Sequence, residues 1–479
     1  MIYMSESRFL FRYVFLIFIL LILLLVLLFN TNNIVDGLML FVGLASILIL
    51  LIGKRRIDYF EPIYLFSIYY VFVYVAAFFT AYRGFEYNVF IDSTIFYEDV
   101  DYIYTLTIFV CVISYFSVLC GYYLFVKRLD EFNPKSIKGV GSPMFFFIAL
   151  VFCLIGLVNF TYNIYSMYGG DFIGYYKNIS MRSYDFSQGG STLGYNFLYA
   201  GIYMLFIRWL QTDKNMISTF GLVFLSIMVF SSNGRITNTI FYLGSFLMIF
   251  YYNKGFYLLN KRFFFVGLAV AVLGVLFYSL RYASSLYYNN LYDFSSGGVL
   301  DFLSGFFVLD NLALFLVDKG NIPNFALLMK VVDSWGEELN YMYGSTILFP
   351  LYGFISSDLF GLIPMPAVVV KQEWYSHILG GNLPITGMGE MIVNFSVVGF
   401  PLGMFFFGAL GAFFRNLFIK MKSNVYLIFY TNFCFFYLLY PKGEFNNFNT
   451  FWMAFSSVVF LMSLSLVRSF NSRNRINYV

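Results

Sequence analysis

Long apolar segments, separated by short polar ones, recur along almost the whole chain. A membrane core about 30 Å thick needs about twenty helical residues at about 1.5 Å each, so apolar runs of this length are typical of spanning helices. The pattern predicts an all-α fold, a polytopic membrane helix bundle with about twelve transmembrane helices. The predicted spans are 9–29, 33–52, 62–81, 103–126, 143–166, 195–210, 217–232, 236–252, 263–280, 388–412, 425–440 and 449–467.

Composition supports this prediction. Of the 479 residues, 60% are hydrophobic and 11% are charged, whereas a soluble globular protein has about a quarter charged residues. All four cysteines lie inside predicted spans, where they act as small apolar residues and offer no disulfide framework. The first apolar segment lacks a small-residue cleavage site, so we interpret it as a signal anchor and as the first span.

The distribution of basic residues predicts the orientation of the chain. Lys and Arg concentrate in short cytoplasmic loops. If the amino terminus lies inside, every inner segment is basic and together they hold most of the 29 Lys and Arg residues. Arg415, Lys420 and Lys422 form one of these inner segments. We therefore expect both termini to be cytoplasmic.

Two predicted outer segments are long, at 167–194 and 281–387. They divide the chain into nine helices over 1–280, a large outer loop, and three helices with a basic tail over 388–479. Loops of such length are usually functional. Apolar runs at Val299–Val317 and Phe325–Trp335 predict amphipathic helices that rest on the outer bilayer surface.

Three cations are predicted at helix ends on the outer side. Arg235 follows the turn 231–234, Arg281 follows the ninth span, and Lys442 lies in the turn 441–445. Each has a simple interpretation: a snorkelling arginine, an arginine that meets lipid phosphate, and a polar hairpin. However, outer cations are scarce under the positive-inside rule, and Arg and Lys bind phosphate oxygens well. Together they predict a site for a lipid-linked pyrophosphate.

Two residues are candidate proton acceptors. His377 is the single histidine and lies in the large loop near Trp374; histidine takes up a proton near neutral pH, although a lone loop histidine is often incidental. Glu390 begins the tenth span, where the helix dipole favours a carboxylate. In a partly buried mouth it could equally accept a proton from a sugar hydroxyl.

Other motifs of enzyme sites carry less weight. Asp99-Val100-Asp101 spells the acidic pair with which many soluble glycosyltransferases bind metal and nucleotide sugar. It lies on the predicted outer side, where nucleotide sugars are absent, so we expect it to cap the fourth span. The sequence has no Cys/His metal spacing and no Walker loop, and we expect no metal and no cofactor.

Short motifs in the second half of the chain combine with this topology. They are Gly-Gly followed by Arg182, the Ser-Asn-Gly-Arg235 turn, Tyr343-Gly344-Ser345-Thr346, Ile363-Pro364, Gly389-Glu390 followed by Asn394-Phe395, Gly399 and Gly403, and Lys442-Gly443-Glu444. Over most of the chain, most clearly from about residue 160, this combination resembles the Wzy-type O-antigen and capsule polymerases. These are the oligosaccharide repeat unit polymerases of bacterial inner membranes. Lysine stands at 442 where the family more often has arginine, and the Pro-Arg pair after Ile-Pro is missing.

The resemblance implies a metal-independent GT-C-type glycosyltransferase of the bacterial inner membrane, with a large, partly helical periplasmic loop. Its substrates would be undecaprenyl-pyrophosphate-linked oligosaccharides that face the periplasm. The growing glycan would move from its lipid carrier onto a fresh lipid-linked repeat unit. The family also implies a chain-length regulator as a partner, and no nucleic acid.

We assign the expected roles on the cation pattern and the resemblance together. The assigned residues are Arg235 and Arg281, aided by Arg182 and Lys442, for the pyrophosphate; Glu390 or His377 for the proton; and Trp374, Tyr341 and Tyr343 for the glycan.

Three other functions fit parts of the pattern. An O-antigen ligase, which transfers glycan to lipid A core, shares the multi-span plan, the outer cations and a large loop with a histidine. A lipid-linked oligosaccharide flippase has about twelve spans, but it needs only short outer loops and carries cations within its central cavity. A structural or receptor membrane protein needs no catalytic residues, but it leaves the outer cations unexplained.

Overall fold

The computed structural model describes residues 58, 60–82, 98–127, 143–171, 193–212, 216–232, 236–254, 325–352, 366–374, 385–421 and 423–445. These residues form helices and connecting turns, with no β-strand among them. The helices are α1 Pro62–Tyr82, α2 Val100–Phe125, α3 Pro143–Tyr168, α4 Leu193–Thr212, α5 Met216–Ser232, α6 Ile236–Lys254, α7 325–334, α8 Ser345–Tyr352, α9 Pro366–Glu373, α10 Thr386–Met421 and α11 Asn424–Leu439.

A helix occupies each predicted span that falls within the described residues. From α1 to α6, and for α11, the ends lie within about three residues of the prediction, because the apolar runs and the polar turns between them define the helix ends. The predicted spans 9–29, 33–52, 263–280 and 449–467 lie outside the described residues.

Within the part of the chain that the structure describes, three helical segments are long and apolar enough to cross a membrane, at Tyr102–Phe125, Phe145–Ser166 and Thr386–Met421. Several large apolar side chains on them point away from the protein: Leu154 and Val158 on α3 are 63% and 57% exposed, and Leu402 on α10 is 61% exposed. Helices that meet lipid expose such faces. The described part is therefore a helical bundle of the kind found in membrane proteins.

Glycines bring two pairs of helices into backbone contact. A Cβ atom at Gly408 of α10 would lie 2.1 Å from the carbonyl oxygen of Val118, and one at Gly121 of α2 would lie 1.9 Å from that of Phe405. The α3–α4 pair uses Gly156 in the same way, since a Cβ there would lie 2.4 Å from Leu198 Cβ. Small residues allow this approach in membrane helices, where packing rather than hydrophobicity drives association.

Helix α10 is broken at Ser396, whose backbone has φ 67° and ψ 172°. The Ser396 hydroxyl accepts a hydrogen bond from the Val398 amide at 3.3 Å, which is the bond that an N-cap makes. A new helix therefore begins after Ser396. We call residues 386–395 the short arm and residues 397–421 the long arm.

The short arm folds back along the long arm. A Cβ atom at Gly387 would lie 2.5 Å from the Tyr440 carbonyl oxygen, and the Phe407 ring stacks on the Tyr440 ring at 4.1 Å between centroids. Gly387 and Phe407 would lie about 30 Å apart in one straight helix, so both can contact Tyr440 only because the helix reverses. The tenth predicted span, 388–412, is thus not one straight helix; the long arm by itself is long enough to cross.

The turn 441–445 lies inside the bundle. The Tyr74 hydroxyl of α1 donates a hydrogen bond to the Pro441 carbonyl, and the Tyr70 hydroxyl donates to the Cys111 carbonyl of α2. Cys111 is eleven residues into α2, about 16 Å along its axis. We predicted a short outer turn between two spans; the structure shows that the turn is buried, because the short arm packs against it, and the side of the membrane on which it lies stays a prediction.

Helix α7 is buried within the protein. Phe325, Leu328 and Val331 are each at most 2% exposed. The prediction of a helix at Phe325–Trp335 is confirmed, but its placement on the outer bilayer surface is wrong. A helix that is apolar on all sides is buried, and its one lysine, Lys330, is paired with Glu338 at 2.9 Å. The other predicted amphipathic helix, Val299–Val317, lies outside the described residues.

Candidate functional site

Glu390 lies in a buried polar centre where the short arm meets the turn 441–445. Its side chain is 1% exposed. Its Oε2 atom accepts a hydrogen bond from the Phe445 amide at 2.8 Å and lies 3.4 Å from the Tyr440 hydroxyl. The helix begins at Thr386, so Glu390 is in the second turn rather than the first. Its partners are therefore a distant turn and a tyrosine, and not the helix dipole alone.

A second buried carboxyl group, Glu444, faces the same centre. Glu444 is 1% exposed and accepts a hydrogen bond from the Ile385 amide at 3.1 Å. Burial raises the pKa of Glu444 well above its ordinary value because the charged form loses its hydration. Glu390 and Glu444 also interact electrostatically. The two carboxyl groups thus share one buried centre.

Hydrogen bonds join Gly387 of the short arm to Tyr440, which follows the end of α11. The Gly387 amide donates to the Tyr440 carbonyl at 3.0 Å, and the Tyr440 hydroxyl donates to the Gly387 carbonyl at 3.0 Å. Gly387 is required there, because a Cβ atom would lie within 2.6 Å of the Tyr440 ring. We call the group formed by Glu390, Glu444 and Tyr440 the carboxyl centre.

One oxygen of the carboxyl centre has an open acceptor position. Glu390 Oε1 is buried and accepts no hydrogen bond of normal geometry. The side chain of Thr346, at the start of α8, interacts with this carboxylate. Glu390 Oε1 is thus one atom of the centre that could receive a proton.

Asn394 connects the carboxyl centre to the loop 341–346. Its Nδ2 atom donates to the Glu390 carbonyl and to Thr346 Oγ1, each at 2.7 Å. Its Oδ1 atom accepts from the Gly344 amide at 2.8 Å. Asn394 is 2% exposed. The resemblance included Asn394 as part of a motif, but sequence reasoning gave it no role.

The three predicted glycan-binding residues lie on one chain of aromatic contacts. Tyr343 is 84% exposed, and its ring lies 6.5 Å from that of the half-buried Tyr341. The Tyr341 hydroxyl donates to the Trp335 carbonyl at 3.4 Å, and Trp335 packs edge-on against Trp374 at 5.6 Å. Lys330 Nζ lies 5.4 Å from the centre of the Trp374 ring. Of the three rings, that of Tyr343 is exposed. Trp335, which connects Tyr341 to Trp374, was not selected from the sequence.

Of the four predicted pyrophosphate-binding cations, the structure describes Lys442. Lys442 is half-buried in the turn 441–445, and its amide donates to the Leu439 carbonyl at 3.0 Å. Arg235, Arg281 and Arg182 lie outside the described residues, as does the candidate base His377. The cluster that the sequence predicts therefore stays a prediction.

A second buried ionic group lies at the other end of the long arm. Arg415 is 2% exposed, and its Nε atom forms an ion pair with Glu61 Oε1 at 3.1 Å. Its Nη1 atom donates to the Lys127 carbonyl at 2.8 Å, and the Tyr122 hydroxyl donates to Glu61 Oε1 at 2.8 Å. We placed Arg415 in a predicted inner segment after the tenth span; the long arm instead continues to Met421, and Arg415 is buried within it.

Asp58 belongs to the same group. It is 4% exposed, and its carboxylate accepts from the Tyr252 hydroxyl at 2.8 Å and from the Phe60 amide at 3.2 Å. Burial, helped by the nearby charge of Glu61, raises the pKa of Asp58 to about 7. Sequence reasoning missed both acids, because they follow a basic run and look like part of a solvated loop.

Within the residues that the structure describes, no group of three or more His, Cys, Asp or Glu side chains could hold a metal ion. No protein-family model, curated protein or solved structure matches the chain. Its function therefore has to be inferred from its own residues.

Proposed function

We propose that this protein is a metal-independent GT-C-type glycosyltransferase that polymerises undecaprenyl-pyrophosphate-linked oligosaccharide repeat units. It transfers the growing glycan onto a new lipid-linked repeat unit on the periplasmic face of the bacterial inner membrane, during O-antigen or capsule synthesis. One observation supports this most: Glu390 meets the turn that carries Lys442 and Glu444, by a bond to Phe445, which lies 55 positions further along the chain. Two separate motifs of the resemblance thus contribute to one buried centre.

The proposed reaction is a displacement at an anomeric carbon. The acceptor hydroxyl oxygen forms a bond to that carbon, and the bond from the carbon to the pyrophosphate oxygen breaks. The lipid pyrophosphate leaves with the electron pair, and the hydroxyl proton passes to a base. Glu390 Oε1 has the open acceptor position, whereas Oε2 is held by the Phe445 amide. General bases act within hydrogen-bond reach of the proton that they take, and His377 is the alternative.

Cations stabilise the leaving group in this proposal. Lys442 lies two residues before Glu444, on the turn that the short arm contacts. With Arg235, Arg281 and Arg182 it would neutralise the charge that develops on the pyrophosphate. Preorganised charges of this kind often contribute most to catalysis, and losing one costs on the order of 10²–10³ in rate.

The proposal includes a wider arrangement. Twelve helices cross the membrane, both termini are cytoplasmic, and 281–387 forms the periplasmic part together with a chain-length regulator. The described portions of this segment pack directly on the short arm: the Met342 amide donates to the Val393 carbonyl at 2.9 Å. The loop therefore belongs to the wall of the carboxyl centre and can contribute to the choice of glycan.

The test reconstitutes the purified protein in proteoliposomes that contain lipid-linked repeat units. We expect products of several repeat units from the wild type and a loss of at least about 10² in rate with Glu390→Gln. Lys420→Ala, on the exposed end of the long arm, is the control and should keep full activity. Chain growth at the normal rate with both Glu390→Gln and Lys442→Ala would contradict the proposed site.

One observation favours a second function, a lipid-linked oligosaccharide flippase. Transporters often bind substrates and coupling ions where a helix is broken near the middle of the membrane, and here the helix that breaks at Ser396 carries Glu390, beside the second carboxyl group of Glu444. The same proteoliposomes separate the two functions. Movement of the lipid-linked oligosaccharide between leaflets without chain growth would indicate the flippase, and transfer onto added lipid A core would indicate a ligase.

A further inference from the structure

The exposed ring of Tyr343 stands on an unusual backbone. Tyr343 has φ 48° and Gly344 has φ 85°, so two consecutive residues adopt the left-handed conformation, which is uncommon for a tyrosine. Such a conformation persists only where the surroundings impose it, and it concentrates at ligand-binding sites. Tyr343 is also 84% exposed. A large, exposed ring on a strained turn is therefore a candidate for ligand binding.

Asn394 imposes this conformation. Its Oδ1 atom accepts from the amide of Gly344, next to Tyr343. Its Nδ2 atom donates to the carbonyl of Glu390, one turn earlier in the short arm. One partner is an N–H group and another is a C=O group, so the amide can bind in one orientation only. The loop 341–346 is fastened to the short arm at that point and again by the bond from Met342 to Val393.

The same amide also acts on the carboxyl centre. Asn394 Nδ2 donates to Thr346 Oγ1 at 2.7 Å, so the Thr346 hydroxyl is an acceptor in that bond. Its own hydrogen is then available to another partner, and the Glu390 carboxylate interacts with this side chain. Asn394 thus contacts both the support of the exposed ring and the residue beside the candidate base.

We infer that Tyr343 is a sugar-stacking residue and that Asn394 is a positioning residue that holds this ring and the Glu390 carboxylate in one fixed arrangement. The inference rests on the proposed function. Aromatic faces bind the apolar side of a sugar ring, and a rigid ring loses little entropy on binding. Tyr341 and Trp374 act as support, since Tyr341 is bonded to Trp335 and Trp374 packs against Trp335. The ligand class is therefore an oligosaccharide whose terminal sugar stacks on Tyr343 while its hydroxyl lies toward Glu390.

The first experiment measures binding separately from chain growth. The probe is the free oligosaccharide released by mild acid from the lipid-linked repeat units of the strain that carries this chain. We expect Tyr343→Ala to weaken its binding roughly threefold to tenfold, as for the loss of one aromatic contact. Tyr343→Phe and Tyr343→Trp should bind normally. Tyr162→Ala is the matched control, because Tyr162 on α3 is 64% exposed. Unchanged binding by Tyr343→Ala would overturn the stacking role.

The second experiment tests the positioning role by kinetics in proteoliposomes. We expect Tyr343→Ala to raise KM and to leave kcat within about twofold. Thr346→Val keeps the side-chain shape but removes the hydroxyl, and should lower kcat with little change in KM. Asn394→Ala should change both, and adding Tyr343→Ala to it should have little further effect, because the ring is no longer held. A full additional effect of Tyr343→Ala in that background would overturn the positioning role.

The outcomes separate this inference from the proposed function. If no protein variant extends a chain but Tyr343→Ala still loses binding, the stacking role stands and the polymerase proposal fails. If chains grow normally and Tyr343→Ala changes neither binding nor KM, the polymerase proposal stands and the inference fails. Should Asn394→Ala not fold, Asn394→Asp takes its place, because it keeps the acceptor for the Gly344 amide and loses the bonds donated to Glu390 and Thr346; it should lower kcat, and an unchanged kcat would overturn the positioning role.

Discussion

The side chain of Glu390 accepts a hydrogen bond of 2.8 Å from the backbone amide of Phe445, 55 residues further along the chain. Neither partner reaches the other unless α10 breaks at Ser396 and its short arm reverses. The contact of the Glu390 carboxylate therefore depends on the break in the backbone at Ser396. It places a carboxylate, a second carboxyl group and a lysine-bearing turn in the interior of the bundle.

The neighbouring acid, Glu444, should respond differently to two substitutions. Glu444→Gln keeps an oxygen for the Ile385 amide and removes a charge beside Glu390, so we expect stability equal to or above that of the wild type at pH 8. Glu444→Ala leaves the buried amide without its partner and should cost about 1–3 kcal/mol. Thermal unfolding in detergent measures both. Equal losses for Gln and Ala would show that the carboxyl oxygen is not what holds Ile385.

Packing between α2 and α10 should be sensitive to a single methyl group. Gly408→Ala places a Cβ atom 2.1 Å from the Val118 carbonyl oxygen, so the two helices must move apart, at a cost of about 1–3 kcal/mol. Gly221→Ala on α5 is the matched control, because nothing lies within 4 Å of a Cβ there. It should be neutral or slightly stabilising. A melting temperature lowered equally by both would contradict the described contact.

Breaking the buried ion pair should be costly. Arg415→Ala leaves Glu61 buried without this guanidinium, and loss of one partner of a buried pair costs about 3–5 kcal/mol. Replacing both partners by leucine should cost less than the single change, because no buried charge is left over. Lys420→Ala, on an exposed position of the same helix, should change stability by less than about 0.5 kcal/mol. The free energies of unfolding of these three variants are compared at one fixed detergent concentration.

Asp58 should make stability depend on pH. Its pKa is about 7 in the folded protein and near 4 in an unfolded chain, so between these values the folded chain holds a proton that unfolding releases. Stability should therefore fall as pH rises from about 4 to about 7 and then level off, at up to roughly 1.4 kcal/mol per unit. Asp58→Asn still accepts from the Phe60 amide through Oδ1, and its Nδ2 can donate to the Tyr252 hydroxyl oxygen, but it cannot ionise.

Comparing the wild type with Asp58→Asn isolates the effect of ionising Asp58 on stability. The advantage of Asp58→Asn over the wild type should be small at pH 5 and largest at pH 8, as read from melting temperatures. Glu61 and Arg415 act on the same carboxyl group and are present in both proteins, so their own contributions cancel. A constant difference across this range would show that Asp58 is ionised throughout.

The positions of the helices were predictable, and the path of the chain between them was not. Apolar runs that end at polar turns define α1 to α6 and α11 within a few residues. An apolar run does not, however, show that its helix reverses. The reversal at Ser396 leaves the apolar pattern unbroken, because both arms are buried against protein or exposed to lipid. The apolar pattern likewise did not show that the turn 441–445 and α7 are buried within the protein.

The site was predictable as motifs but not as geometry. Glu390, Lys442 and the tyrosines of the loop were chosen for their chemistry, and the structure brings Glu390 to the turn of Lys442 and Tyr343 to Asn394. Asp58, Glu61 and Arg415 were missed, since a charged residue near a predicted helix end is assigned to water unless its partner is known. The partners of Asp58 and Glu61 come from α2, α6 and α10, far away in sequence.

By itself the sequence determined that the chain forms long apolar helices able to cross a membrane, because length and apolarity of a segment depend only on neighbouring residues. It also offered the candidate side chains for sugar binding and proton transfer, which stay predictions. Only the tertiary structure decided which of them are buried together. That depends on where the backbone reverses and how closely helices approach, and both are set by contacts between residues that are distant along the chain.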